Sequence, residues 1–448
     1  MSDASHSDYP PALAIFPLDR PEQTHAVVAV PGSKSITNRA LLLAALSRYP
    51  CKLLRPLHSE DTGVMMESLR QLGHSVTADD DGILVERPDE SGPVPVNHAD
   101  LFVANSGTSM RFLAALVGLG HGTYRLDGIP RMRERPIEDL LSALRTLGVY
   151  AYSEAGDGCP PVVVRSEGMH GGTVRIRASV SSQFLSALLM VAPLARSDVV
   201  VHVEDVLVSQ PYVEMTLAMM EAFGVKVETD DLQTFRIPAP QEYEGPEEYL
   251  VEPDASAASY FFAAAAITGG QVRVPGLGPN SLQGDIRFVE VLRIMGCQVW
   301  HESSETYPGE VDTIVEGRPL HGVEVDMNAI SDTVMTLAAV APFAAEPTTI
   351  LNVGHIRHKE TDRLAAIATE LRKVGATVDE LPDGLRIHPA FLHGATLDTY
   401  NDHRMAMSLA LLGLRTQGIV INDPGCVVKT YPSFWHDFAR LKVTTEPR

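Results

Sequence analysis

Hydrophobic positions in this chain recur in two alternating forms. The first is a run of Ala and Leu opened by a polar turn. Such runs begin near Arg39, Met110, Gln183, Ala257, Thr333 and Arg404, about 75 residues apart. They are apolar on every side, as a helix enclosed by its own core must be. The second form is an amphipathic helix that ends in Gly and leads into alternating apolar and polar positions. Its copies are Met66–Gly73, Leu141–Gly148, Leu217–Gly224, Val289–Gly296 and Ile367–Gly375, with Phe434–Leu441 as a sixth that lacks the Gly. A Gly just past a helix is expected at positive φ, where it closes the last turn. The tails Ser75–Thr77, Val149–Tyr152, Val225–Thr229, Gln298–His301 and Thr377–Glu380 read as strands.

Each repeat thus holds a buried Ala-rich helix, a half-exposed helix and several strands, enough for a βαβαββ module. The predicted fold class is α/β, with six modules split three and three. The acidic, Pro-containing stretch Pro240–Glu252 marks a boundary. The predicted domains are residues 32–252, and residues 1–31 together with 253–448. In this division the first strands of the chain join the C-terminal half.

At 448 residues the chain is too long for one ordinary core, which agrees with two domains. A net charge of −21 argues against nucleic acid or an anionic membrane as partner, and makes local groups of Lys and Arg informative. Cys51, Cys159, Cys297 and Cys426 are far apart and form neither a disulfide framework nor a metal pair, as suits a reducing cytosol. The start of the chain has no signal-peptide pattern, so a cytoplasmic protein is expected. The longest apolar run, Ala255–Thr268, is too short to span a membrane.

Candidate chemistry lies in the turns before the Ala-rich helices. Pro31-Gly32-Ser33-Lys34-Ser35-Ile36-Thr37-Asn38-Arg39 reads as a strand end, a tight turn and a helix start capped by Ser33 or Ser35. Lys34 and Arg39 would then stand where a helix N-terminus already favours anions, so a phosphate or carboxylate is the expected visitor. The spacing is not that of a Walker A loop. The other five turns are polar and unlike one another: Asn105-Ser106-Gly107-Thr108, Ser179-Val180-Ser181-Ser182-Gln183, Glu252-Pro253-Asp254-Ala255-Ser256, Ile330-Ser331-Asp332 and Tyr400-Asn401-Asp402-His403-Arg404. Asp254, Ser256 and Asp402 read first as helix caps, and Arg131 and Arg133 as solvated charges. Lys34, Arg39, Arg135, Lys359, Arg363, Arg404 and Lys429 gather at turns and helix starts of an acidic protein, which fits a ligand with several negative charges. Asp332 and Glu360 sit among these cations as ionised acids able to exchange protons. No metal-ligand spacing is present among the sixteen histidines.

The motifs PGSKSITNR, NSGTSMRFL, DGIPRMRERPI, SVSSQFLSALL, EPDASAASYF, HKETDRLAAIATELRKVGA, YNDHRMAMSLAL and DPGCVVKTYPSFW run in order from Pro31 to Phe434. In these the chain resembles the 5-enolpyruvylshikimate-3-phosphate synthases, enolpyruvyl transferases of the shikimate pathway. The resemblance implies two domains of three βαβαββ modules each. They would close over an interdomain active site on a hinge crossed near Pro31 and Glu252. The implied reaction moves enolpyruvyl from phosphoenolpyruvate to the 5-hydroxyl of shikimate 3-phosphate and releases phosphate through a tetrahedral adduct. No metal or organic cofactor is implied, and a monomer is expected. By the same resemblance, phosphoenolpyruvate is held by Lys34, Asn105, Gly107, Arg135, Gln183, Arg363, Arg404 and Lys429. Shikimate 3-phosphate is held by Lys34, Ser35, Arg39, Ser181, Ser182, Gln183, Ser209, Asp332, His355 and Lys359. Asp332 would take the hydroxyl proton, Glu360 would supply a proton to the methylene carbon and take one back, and Lys34 would stabilise charge on the phosphate side. His355, Ser106, Ser109 and Phe112 stand where the commonest pattern has Asn or Gln, Ala, Ala and Pro. These replacements bear on the phosphate contact and on the response to glyphosate, which competes for the phosphoenolpyruvate site. Two alternatives are a UDP-N-acetylglucosamine enolpyruvyl transferase and a repeat scaffold that binds anionic partners. The first expects a Cys near Arg131–Arg135, where the sequence has none.

Overall fold

A computed structural model describes residues 6–79, 81–88 and 92–448. The chain divides into two compact units, Met1–Pro31 with Glu252–Arg448, and Gly32–Val251. Each unit has one continuous apolar core.

The repeat is visible in the sheets. Among the described residues there are six, and each is built on one plan: a parallel pair of strands, then one or two antiparallel strands. In the second module His98–Phe102 lies parallel to His121–Asp127, and Val162–Glu167 and Tyr150–Ser153 follow antiparallel. The Ala-rich helix Gly107–Leu116 joins the parallel strands, as a parallel connection requires. The corresponding helices are Lys34–Leu46, Ser182–Val191, Ala255–Thr268, Val334–Val340 and His403–Ala410. Every residue of Ala255–Thr268 is buried, which Ala permits because neighbouring elements can approach its backbone closely. None of the described helices is long and apolar enough to cross a membrane.

The amphipathic helices end as their sequence requires. Gly73, Gly148, Gly224, Gly296 and Gly375 all have φ between +87° and +119°. The sixth copy puts Lys442 in the same left-handed conformation, with φ +65°. A β-carbon makes that conformation costlier there than at Gly.

Two modules borrow their first strand. The strand before Lys34–Leu46 is His25–Val27. It lies parallel to Gln271–Val274 in the unit of Ala255–Thr268. The strand before Ala255–Thr268 is Glu248–Leu250, which lies parallel to Cys51–Leu54 in the other unit. Ala12–Phe16 pairs with Ile419–Asn422 and Thr444–Pro447, so the first strand completes the last module. One expected strand does not form. Val225–Thr229 makes a single bridge, Glu228 to Arg236. Its Lys226 amide and carbonyl are taken by the Gln241 side chain instead of a neighbouring strand.

Candidate active site

In the central unit three helix starts converge. Ser33 caps the helix Lys34–Leu46 by accepting from the Ile36 amide. Lys34 follows it, with its ammonium 3.6 Å from Asp61. Ser106 caps the helix Gly107–Leu116 and shares a 2.8 Å hydroxyl contact with Ser109, so these two replacements form a local capping pair. Ser181 caps Ser182–Val191 by accepting from the Gln183 amide, and Gln183 reaches across to Thr108 at 3.2 Å. Ser182 and Ser209 are buried, and Ser209 has φ +52° before a helix that starts with Gln210. Non-Gly residues in that conformation store strain of about 1–3 kcal/mol and cluster at functional sites.

Gly107 has a definite steric role. A β-carbon there would lie 2.3 Å from Nη2 of Arg135 and 2.5 Å from Nη1 of Arg111. Two guanidinium groups therefore crowd over one helix start. Arg135 donates to the Asn105 carbonyl at 3.0 Å, and Arg111 donates to the Gly107 and Pro136 carbonyls. Arg131 and Arg133 point elsewhere, paired with Glu134 and Asp127. Of three neighbouring arginines, the buried Arg135 is the one turned inward.

Arg39 is buried as deeply. It donates to Thr216 Oγ1 at 2.8 Å, to the Ser35 and Tyr212 carbonyls, and to Ser186 Oγ. These acceptors are neutral, and burial pulls the guanidinium down to about 10. A buried cation satisfied by neutral groups is costly unless an anion visits it.

The second unit is built differently. Asp332 accepts from Lys359 Nζ at 2.5 Å and from Arg404 Nη2 at 2.9 Å, and lies 3.4 Å from Arg363. Glu360 lies 2.8 Å from Arg363 and 3.9 Å from Lys429. Arg363 also forms a two-point pair with Asp402, Nε to Oδ2 at 2.8 Å and Nη2 to Oδ1 at 3.2 Å. Burial opposes the charge of Arg363, but Asp402, Glu360 and Asp332 outweigh it and hold the guanidinium above its ordinary value. Burial lowers the Lys359 ammonium, with Asp332 pulling the other way. Tyr260 brings its hydroxyl within 3.4 Å of Arg404, so the start of Ala255–Thr268 joins the cluster.

Positioning comes from the turn before Asp402. Tyr400 and Asn401 have φ +56° and +52°. Glu370, fully buried on the helix that Arg363 opens, accepts from the Tyr400 hydroxyl at 2.6 Å and the Asp398 amide at 3.0 Å. One helix therefore grips this strained turn at two places. That helix begins at Arg363, so Lys359 and Glu360 lie in the turn ahead of it and not on its face. His355 contacts Ser331 Oγ at 2.9 Å, and burial, then Lys359, pushes its imidazole down to about 3. It is therefore a neutral hydrogen-bonding group.

Asp254 and Asp402 cap their helices, accepting from the amides of Ala257 and Arg404. Ser256 does not: its hydroxyl goes to the buried Asp285, whose carboxyl burial pushes up to about 6. Sequence reasoning missed Asp61, Thr108, Arg111, Asp285 and Glu370, and gave Asp402 only half its role. Arg111 and Asp402 lie inside motifs already singled out and were within reach. Nothing local marks Asp61 or Glu370. Among the described residues, no group of three or more His, Cys, Asp or Glu is placed to hold a metal ion.

The family model for EPSP synthase (3-phosphoshikimate 1-carboxyvinyltransferase) matches residues 18–438. The chain belongs to the EPSP synthase family. A 3-phosphoshikimate 1-carboxyvinyltransferase of Nostoc punctiforme is 49% identical over 430 residues, covering 96% of this chain and 99% of the relative. One from Shewanella loihica is 48% identical over 432 residues, with the same shares of the two chains covered. The EPSP synthase structure from Acinetobacter baumannii superposes with a TM-score of 0.79 at 24% identity, over 97% of this chain and 99% of that one, which supports the fold.

Proposed function

We propose that this chain transfers the enolpyruvyl group of phosphoenolpyruvate to the 5-hydroxyl of shikimate 3-phosphate, releasing phosphate, in aromatic amino acid biosynthesis. The observation that carries the chemical assignment is the pair of enclosed acids, Asp332 and Glu360, each gripped by cations and both touching Arg363. A site meant only to hold anions gains nothing from acids at its centre.

The proposed course uses both acids. Asp332 accepts the proton of the 5-hydroxyl as that oxygen bonds to the central carbon of phosphoenolpyruvate. Glu360, protonated at this stage, gives its proton to the methylene carbon and completes the tetrahedral adduct. The ionised Glu360 then takes a proton back from the new methyl group while the carbon–oxygen bond to phosphate breaks and the double bond reforms. Lys34 stabilises the charge gathering on the leaving phosphate, which departs with the proton that Asp332 had taken, so that both acids return to their starting state.

Phosphoenolpyruvate itself tunes the acids. Its phosphate and carboxylate share Arg363, Arg404 and Lys429, the same groups that neutralise Asp332 and Glu360. Adding negative charge there raises the proton affinity of both carboxylates when the acceptor is bound. Lys34, Asn105, Gly107, Arg135 and Gln183 supply the remaining contacts to phosphoenolpyruvate. Lys34, Ser35, Arg39, Ser181, Ser182, Gln183, Ser209, His355 and Lys359 hold the acceptor.

The test is phosphate release from phosphoenolpyruvate with shikimate 3-phosphate or UDP-N-acetylglucosamine as acceptor, for wild type and Glu360→Gln. Release with shikimate 3-phosphate alone, largely lost in the variant, is expected. Release with the sugar nucleotide, or an unimpaired variant, would overturn the assignment.

A further inference from the structure

The guanidinium of Arg39 faces aromatic rings as well as polar groups. Its Cζ lies 5.3 Å from the ring centroid of Phe112 and 6.0 Å from that of Tyr212. Phe112 is wholly enclosed and Arg39 is 2% exposed, so the contact lies out of water, where a cation over a ring face is most favourable. Arg39 also has little left to give. Its Nε, one Nη1 hydrogen and both Nη2 hydrogens go to Thr216, Ser35, Ser186 and Tyr212. An arginine has five N–H donors, so one, on Nη1, is left for a ligand. A two-point grip on a carboxylate would have to displace Ser186, whose hydroxyl lies 3.4 Å from Nη2. Recognition then rests on one hydrogen bond and the charge, and both depend on how the plane of the guanidinium is held.

Phe112 is placed to hold it. It lies on the helix Gly107–Leu116, in the turn after the Gly107 start where Arg111 and Arg135 crowd. The buried ring lies in the core with the Arg39 guanidinium over its face. An aliphatic residue there would fill space without attracting the cation.

We infer that Phe112 is a specificity-determining positioning residue for the acceptor: its ring fixes the Arg39 guanidinium so that its remaining N–H selects acceptors bearing a carboxylate. This rests on the proposed reaction and on Arg39 meeting the acceptor's carboxylate. It assigns to Phe112 an effect on the acceptor and not on phosphoenolpyruvate.

The test compares wild type, Phe112→Met and Phe112→Tyr with shikimate 3-phosphate and with its carboxamide analogue. Phe112→Met keeps the volume but loses the ring face, while Phe112→Tyr keeps the face. Phe112→Met should raise KM for shikimate 3-phosphate about 10-fold, the range of a desolvated cation–ring contact. KM for phosphoenolpyruvate should stay within about 2-fold, and Phe112→Tyr should recover most of the loss. The carboxamide keeps a carbonyl acceptor but no charge, so Phe112→Met should raise its KM by no more than about 3-fold, well short of the loss with the carboxylate. An equal loss on both acceptors, or a rise confined to phosphoenolpyruvate, would overturn the inference and make Phe112 a support for the Gly107 turn. Calorimetric binding of the two acceptors to the same proteins separates this from the reaction itself. If wild type binds shikimate 3-phosphate but releases no phosphate, the assigned reaction falls, and the Phe112 comparison is still decided by affinity.

Discussion

The two units hold their buried arginines differently. In the central unit Arg39, Arg111 and Arg135 rest on carbonyls and hydroxyls. In the other unit Lys359, Arg363, Arg404 and Lys429 are laced together by Asp332, Glu360 and Asp402. Neutral acceptors fix a cation's place while leaving its charge for a ligand. Carboxylates cancel the charge but bring groups that can move protons. The first arrangement suits binding and the second suits proton transfer.

The sharpest way to break this contrast is to remove an acid from the second cluster. Glu360→Gln should lower kcat by about 10²- to 10⁴-fold, the usual weight of one positioned acid–base group, with substrate affinity held within a few-fold. Rapid-quench and binding measurements separate the two. A variant that binds poorly but turns over normally would reverse the assignment.

Stability should divide the units next. Asp402→Asn takes a two-point partner from Arg363, which is 1% exposed, and should cost about 3 kcal/mol in urea unfolding. Arg39→Met should cost less than about 1 kcal/mol, because no carboxylate is left stranded and the Thr216 hydroxyl still donates to the Tyr212 carbonyl at 2.8 Å. The same Arg39→Met should weaken shikimate 3-phosphate by about 10- to 100-fold, the worth of a charged hydrogen bond. Equal stability losses in the two variants would erase the distinction.

A smaller effect concerns pH. His355 titrates at 6.5 when unperturbed and near 3 in the fold. The unfolded chain binds this proton more readily than the folded one. The stability contribution is therefore complete above pH 6.5 and is lost progressively as pH falls toward 3. Lys359 and His358 oppose the imidazolium and Asp332 favours it, so the net sign is set by burial. His355→Gln should flatten this part of the unfolding profile. An unchanged slope between wild type and variant would show that His355 is not desolvated as described.

Much of the fold was legible in the chain. The spacing of Ala-rich runs gives the number of modules, and each Gly after an amphipathic helix marks a left-handed residue that is found there. These features are local, set by a few neighbouring residues. What failed was also local, but decided elsewhere: Val225–Thr229 alternates as a strand should, yet Gln241 takes the hydrogen bonds the strand would need. In the site, the sequence marked the cations by their places at helix starts. It could not mark Asp61 or Glu370, because a carboxylate on an amphipathic helix looks the same whether it meets water or a buried partner.

The sequence by itself determined the repeat, the glycine-marked ends of the amphipathic helices and the chemical types gathered at each turn, since periodicity and capping act within a few residues. Tertiary structure decided which charge meets which. The pairing of Arg363 with Asp402, of Arg39 with Phe112 and of Arg135 with Asn105 spans 30 to 73 residues of chain. The exchange of first strands between the modules of Lys34–Leu46 and Ala255–Thr268, also decided by tertiary structure, joins residues 196 and 246 positions apart, as in Glu248 with Lys52 and Gln271 with His25. Such choices depend on burial, which makes an ion pair or a ring contact strong in one place and negligible in another, and burial exists only once the chain has folded.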